Sequence, residues 1–160
     1  NLTVRENLAF FGGAYGLRGT ALRQRVAAVT AQFDLEPDAV SGDLPGGYKQ
    51  RLAMAAGLLH EPDILFLDEP TSGIDPLARR AFWRTITSLA QNGVTIVITT
   101  HFMEEAEYCD RIAIQDAGRM LALGTPHQVR LQASADPGLD MSAAFIAIVE
   151  QGRGVVRSVA

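Results

Sequence analysis

The segment from residue 64 to residue 70, ILFLDEP, constrains the fold of this chain more than any other. Its four apolar residues predict a short strand over 64–67 that is buried within a parallel sheet. Two carboxylates, Asp68 and Glu69, follow directly at the carboxyl end of that strand, which is where parallel α/β sheets bind their ligands. The segment therefore predicts an α/β fold with a polar site at this edge of the sheet.

The two acids are suited to different chemistry. Mg²⁺ keeps several of its waters and needs few carboxylates, so Asp68 at a rigid strand end suits a Mg²⁺ ion that bridges phosphates. Glu69 points the other way and is predicted to orient and deprotonate an attacking water as a general base. For these two residues alone, an acidic pair that caps a following helix is an equally good interpretation. The segments that flank Asp68 and Glu69 favour the catalytic interpretation.

Composition limits the classes of function that the chain can serve. Its 160 residues are 48% hydrophobic, enough for one compact domain with a core. The net charge of −4 argues against a basic surface for nucleic acid, so no nucleic-acid partner is expected. No run approaches the roughly 18 apolar residues that cross a bilayer, and a single cysteine rules out an internal disulfide. These features predict a cytosolic domain.

Periodicity and capping residues predict helices first and an alternation of strands and helices later. Thr3 and Glu6 form a capping box at the first helix, and residues 116–118 are typical of a hairpin turn. The strand over 94–99 is expected beside 64–67 in a parallel sheet. Residues 34–43 are expected to be irregular and residues 152–160 frayed. Helices are predicted over 3–17, 20–33, 48–59, 76–91, 103–109, 126–133 and 142–150, and strands over 64–67, 94–99, 112–115 and 119–123.

His101 follows the second predicted core strand. Because strand ends converge in a parallel sheet, His101 is expected to approach the same phosphate as Glu69. An imidazole there can donate a hydrogen bond to a γ-phosphate or orient the base. A surface histidine with no role is the alternative. His60, His127 and Cys109 lack such a setting and are given no function.

Two loops complete the set of candidate site segments. In the first, Gly46 and Gly47 precede a helix and expose backbone N–H groups at the positive end of its dipole, which favours an anion. In the second, the turn from Ser72 to Asp75 follows the acidic strand. Asp75 is expected to cap the helix that begins at Pro76, and the sharp turn suits contact with a partner subunit.

In order and spacing these elements resemble the nucleotide-binding domain of ATP-binding cassette (ABC) ATPases, over residues 1–128. The resemblance implies that 64–68 is the Walker B strand, Glu69 the catalytic glutamate and His101 the switch histidine. It implies a D-loop over 72–75, with Ser72 and Asp75 as binding residues. The signature loop would comprise Leu44, Pro45, Gly46, Gly47 and Tyr48. The run over 100–111 and the sequence GTP at 124–126 are similar to ATPase subunits of ABC-2 type exporters of the multidrug group.

The resemblance also implies an architecture. It is a partial P-loop NTPase (ABC ATPase) fold, with a helical subdomain followed by the C-terminal half of a RecA-like parallel-sheet core. The implied divisions are a partial helical subdomain over 1–45, the core half over 46–130, and a C-terminal helix and tail over 131–160. Lys49, the only lysine, precedes Gln50, so these residues contain no GxxxxGK[ST] phosphate-binding loop. The chain is therefore expected to be a fragment that lacks Walker A and the Q-loop and is inactive alone.

The implied cofactors are ATP and Mg²⁺, and the implied partners are a second nucleotide-binding domain and a transmembrane permease. In a head-to-tail dimer, Gly46 and Gly47 would serve the partner's ATP, while Asp68, Glu69 and His101 would serve the ATP of their own domain. ATP hydrolysis would power substrate efflux, at a peripheral position on the cytoplasmic face of the cell membrane. The alternatives are a soluble ABC ATPase of DNA repair or translation and a non-catalytic interaction module from a split or decayed domain.

Two departures from the ABC pattern concern the signature loop. Pro45 stands where serine is usual and Tyr48 where glutamine is usual, and each lost hydrogen bond to a charged oxygen is worth about 1.5–3 kcal/mol. The loop is expected to bind less well rather than to be inactive. The first helix carries Phe10, Phe11 and Tyr15 near the groove that would receive the permease. Ordinary packing is expected for at least two of these aromatic residues.

Overall fold

The chain folds into two units, Asn1–Thr99 and Thr100–Ala160. The computed structural model describes residues 2–134, 136 and 138–157. The mixture of helices and strands confirms the α/β class, while the three-part division at residues 45 and 130 stays a prediction. The first unit contains α1 (Val4–Ala14), α2 (Gly19–Gln32), α3 (Gly46–Gly57), β1 (Ile64–Asp68), α4 (Pro76–Gln91) and β2 (Thr95–Thr99). The second contains β3 (Ile112–Asp116), β4 (Arg119–Gly124), α5 (Pro126–Ala133) and α6 (Met141–Arg157).

The first helix begins with the predicted capping box. The Glu6 amide donates to Thr3 Oγ1 at 3.2 Å, and the Thr3 amide donates to Glu6 Oε2 at 2.8 Å. The hydrogen bonds from the Thr3 amide and then its hydroxyl lower the pKa of Glu6. The helix ends at Ala14, before the predicted residue 17, because Gly16 adopts a left-handed φ of 90°.

Helices α1, α2 and α3 bury a shared apolar core. Arg25 of α2 ties this core to the end of α3, where it donates to the carbonyls of Leu58 at 2.8 Å and Leu59 at 3.0 Å. These carbonyls have no partner within a helix, so a cation there stabilises the helix end. The buried side chains of this core include Val4, Leu8, Val26, Val29, Leu52, Met54 and Ala55.

Strands β1 and β2 pair in parallel, as predicted, with Ile64 opposite Thr95 and Asp68 opposite Thr99. The prediction of a buried β1 is wrong, because only Leu65 is buried, whereas Phe66 is 73% exposed. Residues on a strand alternate between its faces. Leu65 faces α3, close to Gly57, whereas no described element of this unit covers the face of Phe66. The strand therefore has one covered face rather than two.

The second unit packs helices against an antiparallel hairpin. Strands β3 and β4 are joined at the predicted turn, where Ala117 and Gly118 both adopt positive φ angles of 48° and 75°. Thr125 and Gln128 form a second capping box at α5. The core of this unit comprises Ile114, Ala122, Val129, Met141, Ala144, Ile148 and Val149.

Two helix predictions in this unit need correction. The segment 103–109 forms a 3-10 helix, Met103–Tyr108, rather than an α-helix. Helix α6 continues to Arg157, although fraying was predicted from Gly152, because Gly152 allows close packing on Leu121 and Arg153 bonds to Asp116. Residues 158–160 of the predicted frayed end lie outside the described residues. In the described part of the chain, no helix combines the length and apolar character that a membrane span requires.

Candidate active site

Thr99 of β2 holds both acids at the end of β1. Its hydroxyl donates to Asp68 Oδ1, and the Glu69 amide donates to Thr99 O at 3.0 Å and to Thr99 Oγ1 at 3.1 Å. Asp68 and Glu69 are both exposed. The parallel register sets this arrangement, because it places Thr99 directly opposite Asp68. Sequence analysis did not identify Thr99, although a hydroxyl residue at the end of the paired strand was a usable signal.

The chain turns sharply at Glu69. This residue adopts a left-handed φ of 43°, a conformation that costs a non-glycine residue of order 1 kcal/mol. Pro70 and Thr71 are fully buried directly after it, and the Ser72 amide donates to the Glu69 carbonyl at 3.1 Å. The buried pair anchors the turn, which directs the Glu69 side chain away from the course of the strand while leaving it accessible.

Asp68 fits the requirements of Mg²⁺. It offers one exposed carboxylate at a rigid strand end, with its orientation fixed by the Thr99 hydroxyl. In the described part of the chain, no cluster of three or more His, Cys, Asp or Glu residues forms a cation site. A single carboxylate is sufficient for Mg²⁺ in a phosphate site, because water and phosphate oxygens complete its six ligands.

The D-loop leads directly into α4. Asp75 Oδ1 accepts hydrogen bonds from the amides of Leu77 at 2.9 Å and Ala78 at 3.0 Å, which confirms the predicted helix cap. Gly73 adopts a φ of 72°, and Ser72 is exposed beside it. Capping therefore accounts for Asp75 structurally, and a contact of Ser72 or Asp75 with a nucleotide stays a prediction.

The signature loop ends in a helix N-terminus. Leu44 and Pro45 are extended, and α3 begins at Gly46. The first intrahelical donors are the amides of Tyr48 and Lys49, both of which donate to the Pro45 carbonyl. The amides of Gly46 and Gly47 precede them, in the position that favours an anion.

The signature loop also lies against the D-loop segment. An added Cβ atom on Gly47 would lie 3.3 Å from Ala78 Cβ, and one on Gly46 would lie 4.0 Å from the Gly73 carbonyl oxygen. The structure thus brings together two segments that are more than 20 residues apart in sequence and that were both predicted to face a nucleotide.

His101 lies at the start of the second unit and is exposed. Its ring is 4.1 Å from that of Phe102, centroid to centroid, with 37° between the planes. The preceding Thr100 hydroxyl donates to Glu105 Oε2 at 2.7 Å and accepts from the Phe102 amide at 3.0 Å. The approach of His101 to Glu69 stays a prediction. Neither Thr100 nor Glu105 was identified by sequence analysis.

Comparisons with known proteins identify relatives of the chain as a whole. Over 153 residues, 93% of the chain, the sequence is 52% identical to the probable multidrug ABC transporter ATP-binding protein YbhF of Escherichia coli (strain K12). It is 48% identical over 130 residues to the Nod factor export ATP-binding protein I of Burkholderia orbicola (strain AU 1054). The chain is a homologue of ABC transporter ATP-binding proteins. It spans 26% of the first relative and 43% of the second.

Solved structures support the same assignment. The ATP binding subunit of an ABC transporter superposes with a TM-score of 0.77 at 29% identity, over 93% of this chain and 63% of that one. The protein cbiO1 from Clostridium perfringens, part of the ABC transporter complex cbiONQ, gives 0.71 at 31% identity, over 79% and 52%. The family described as "AAA domain, putative AbiEii toxin, Type IV TA system" matches residues 27–105. The predicted ABC ATPase fold is thereby confirmed for the part of those structures that this chain covers.

A side-chain cluster supports the unusual ABC signature loop. The Arg51 guanidinium lies over the Tyr48 ring, 4.8 Å from its centroid, and forms an ion pair with Asp34 Oδ2 at 3.4 Å. A cavity of about 360 Å³ lies beside this cluster, between the end of α2, the first turn of α3 and α4. Tyr48 is therefore held by a stacked cation, which the sequence alone did not indicate.

The three aromatic residues on α1 and at its C-cap are more exposed than predicted. Phe10 is 66% exposed, Tyr15 45% and Phe11 38%, so the expectation of ordinary packing for at least two of them is wrong. Phe10 and Phe11 contact each other edge to face, and Tyr15 lies on His60 with 4.1 Å between ring centroids. The apolar side of α1 needs only Val4 and Leu8 for the core, which leaves these rings on its outer surface.

Proposed function

We propose that this chain is part of the ATP-binding protein of an ABC exporter. The intact protein hydrolyses ATP to ADP and phosphate and so powers efflux of a substrate through a membrane permease. The observation that carries this proposal is the pair Asp68 and Glu69, fixed by Thr99 at the carboxyl end of two parallel strands in an ABC homologue. The relatives' names, multidrug transporter and Nod factor export protein, favour export as the direction.

Each of the three predicted catalytic residues has a separate task. Asp68 would hold Mg²⁺, which when bound neutralises charge on the phosphates. Glu69 accepts a proton from the attacking water, a contribution of roughly 10²–10⁴-fold in rate. Its accessible carboxylate and anchored backbone suit that task. His101 donates a hydrogen bond to the terminal phosphate and so orients it for attack.

The signature loop and the D-loop serve a second nucleotide-binding domain in a head-to-tail dimer. The amides of Gly46 and Gly47, at the positive end of α3, would bind the partner's ATP, and Leu44, Pro45 and Tyr48 shape the loop around them. Ser72 and Asp75 would reach the same interface. The close packing of Gly46 and Gly47 against Gly73 and Ala78 supports a shared surface for both loops.

An exposed apolar face supports the view that this chain works as part of a longer protein. Ile64, Phe66 and Val97 lie on one side of the β1–β2 pair and are 51%, 73% and 44% exposed. Parallel sheets are normally covered on both faces. We propose that further core segments of the longer protein, including its phosphate-binding loop, cover this face.

Attachment to the permease would place the protein on the cytoplasmic face of the membrane as a peripheral subunit. The exposed rings of Phe10 and Tyr15 on α1 are suited to an apolar contact with such a partner. The substrate would be selected by the permease, and nothing in this chain specifies it.

The test is the substitution Glu69→Gln in the intact transporter, with Glu36→Gln as the matched control. Glu36 is an exposed carboxylate in the turn after α2. We expect Glu69→Gln to lower the steady-state ATPase rate by roughly 10²–10⁴-fold, with nucleotide binding retained, because only the proton acceptor is lost. Glu36→Gln should leave the rate within about twofold. Full hydrolysis by Glu69→Gln would instead identify a non-catalytic interaction module.

A further inference from the structure

We propose that Thr100 and Glu105 are positioning residues for His101, and that a partly buried hydrogen bond between them sets the geometry of the switch loop. This inference rests on the proposed function, in which His101 contacts the terminal phosphate. Thr100 and Glu105 themselves act only through His101.

The burial of Glu105 is the first observation. This glutamate is 1% exposed, one of few polar residues so fully enclosed in the part of the chain that the structure describes. Burying a carboxylate costs several kcal/mol unless hydrogen bonds compensate, so a glutamate is retained at such a place where its bonds organise the structure. Its Oε2 accepts the Thr100 hydroxyl at 2.7 Å, a length typical of a strong bond to an oxygen anion.

The Thr100 hydroxyl fixes both sides of His101. While it donates to Glu105, its oxygen accepts the Phe102 amide at 3.0 Å. The two flanking residues are thus joined through one hydroxyl group, and His101 is at the apex of the turn between them. The Glu105 amide also donates to the Phe102 carbonyl at 3.0 Å, which continues the turn into the 3-10 helix.

The 3-10 helix connects this turn to the core of the second unit. Met103 and Ala106 pack against the core cluster that includes Ile114, Met141 and Ala144. Glu105 lies on the same short helix and is buried, whereas His101 remains exposed. The His101 imidazole is therefore exposed to solvent on a turn that is held by hydrogen bonds, and its ring stacks on Phe102. A catalytic contact needs placement within about 0.5 Å, and hydrogen bonds that restrict the backbone on both sides of His101 favour such placement.

The experiment compares Thr100→Val with Thr100→Ser in the intact transporter, each with and without His101→Ala. Valine keeps the shape of threonine but removes the hydroxyl, whereas serine keeps the hydroxyl. We expect His101→Ala to lower kcat by roughly 100-fold and Thr100→Val by roughly tenfold, with the KM for ATP changed by less than about threefold. Thr100→Ser should restore most of kcat.

The double variant distinguishes positioning from general destabilisation. Because Thr100 acts through His101, adding Thr100→Val to His101→Ala should lower kcat no further. The melting temperatures of the two single variants should not correlate with their kcat values. The proposal would be overturned if the loss of kcat in the double variant equalled the product of the two single losses. It would also be overturned if Thr100→Val kept full kcat while His101→Ala lowered it. If His101→Ala itself keeps full kcat, the role of His101 in the proposed function fails first, and the positioning role falls with it.

Discussion

In the first unit, Asp68 and Glu69 stand at an exposed strand end and are held by Thr99 of the neighbouring strand, whereas in the second unit His101 is supported by the buried Glu105. The first support depends on the register of two strands and lies in contact with solvent. The second includes a carboxylate that is 1% exposed. Two hydroxyl groups, Thr99 and Thr100, are adjacent in sequence but serve these different supports. Loss of the support at the exposed edge should lower activity more than stability. Loss of the support that includes a buried carboxylate should lower both.

Among the variants that change a support, the largest expected effect comes from removing the exposed one. Thr99→Val should lower the ATPase rate of the intact protein roughly 10–100-fold and raise the Mg²⁺ concentration needed for half-maximal rate, because the Asp68 carboxylate loses its orientation. Its free energy of unfolding should fall by only about 1 kcal/mol. A Mg²⁺ titration of the rate, together with urea denaturation, measures both quantities.

Thr99→Ser is the control for that prediction, because it keeps the hydroxyl at the same place. It should retain most of the rate. A serine variant as impaired as the valine variant would show that the hydroxyl group alone does not account for the role of Thr99.

A smaller effect, mainly on stability, should follow from changing the buried support. Glu105→Leu should lower the free energy of unfolding by about 1–3 kcal/mol, because the Thr100 hydroxyl loses its acceptor within the core. Glu105→Gln keeps an acceptor oxygen and should lose less. Denaturant titrations of the intact protein provide the comparison. A leucine variant as stable as the wild type would mean that apolar packing alone holds the 3-10 helix.

The smallest effect concerns an exposed pair that supports no candidate site residue. Arg153 donates to Asp116 at 2.8 Å and 3.0 Å, and these hydrogen bonds hold the pKa of Asp116 below its usual range. The bond therefore stabilises the fold above the ordinary aspartate pKa of about 3.9 and is lost as the pH falls through the lower folded value. Asp116→Asn should remove this part of the acid dependence and leave the ATPase rate unchanged. Melting curves from neutral pH to below pH 4 test the first expectation.

Local features of the sequence predicted most elements of the fold. The caps at Thr3 and Asp75 and the hairpin turn over 116–118 depend on neighbouring residues, and the structure has them where expected. Strand β1 was placed to within one residue. The exposure of Phe66 was not predictable, because it depends on which segments cover the sheet rather than on the strand itself.

The residues that hold the site residues in place were harder to predict than the site residues themselves. Asp68, Glu69 and His101 stand out by their positions after apolar strands, which sequence records directly. The bond from Thr99 depends on the strand register, and that from Thr100 on the burial of Glu105, which is a tertiary property. The positive φ of Glu69 has no local cause in its residue type and follows from the burial of Pro70 and Thr71.

The close approach of Gly47 to Ala78 has a consequence for how this sequence can vary over time. A side chain added at position 47 would meet the methyl group of residue 78 at 3.3 Å, which leaves almost no room for both. Side-chain size at residue 47 and side-chain size at residue 78 are therefore coupled. We expect a substitution at residue 47 to be easier to accommodate when residue 78 lacks its methyl group, so the effects of changes at the two positions should depend on each other.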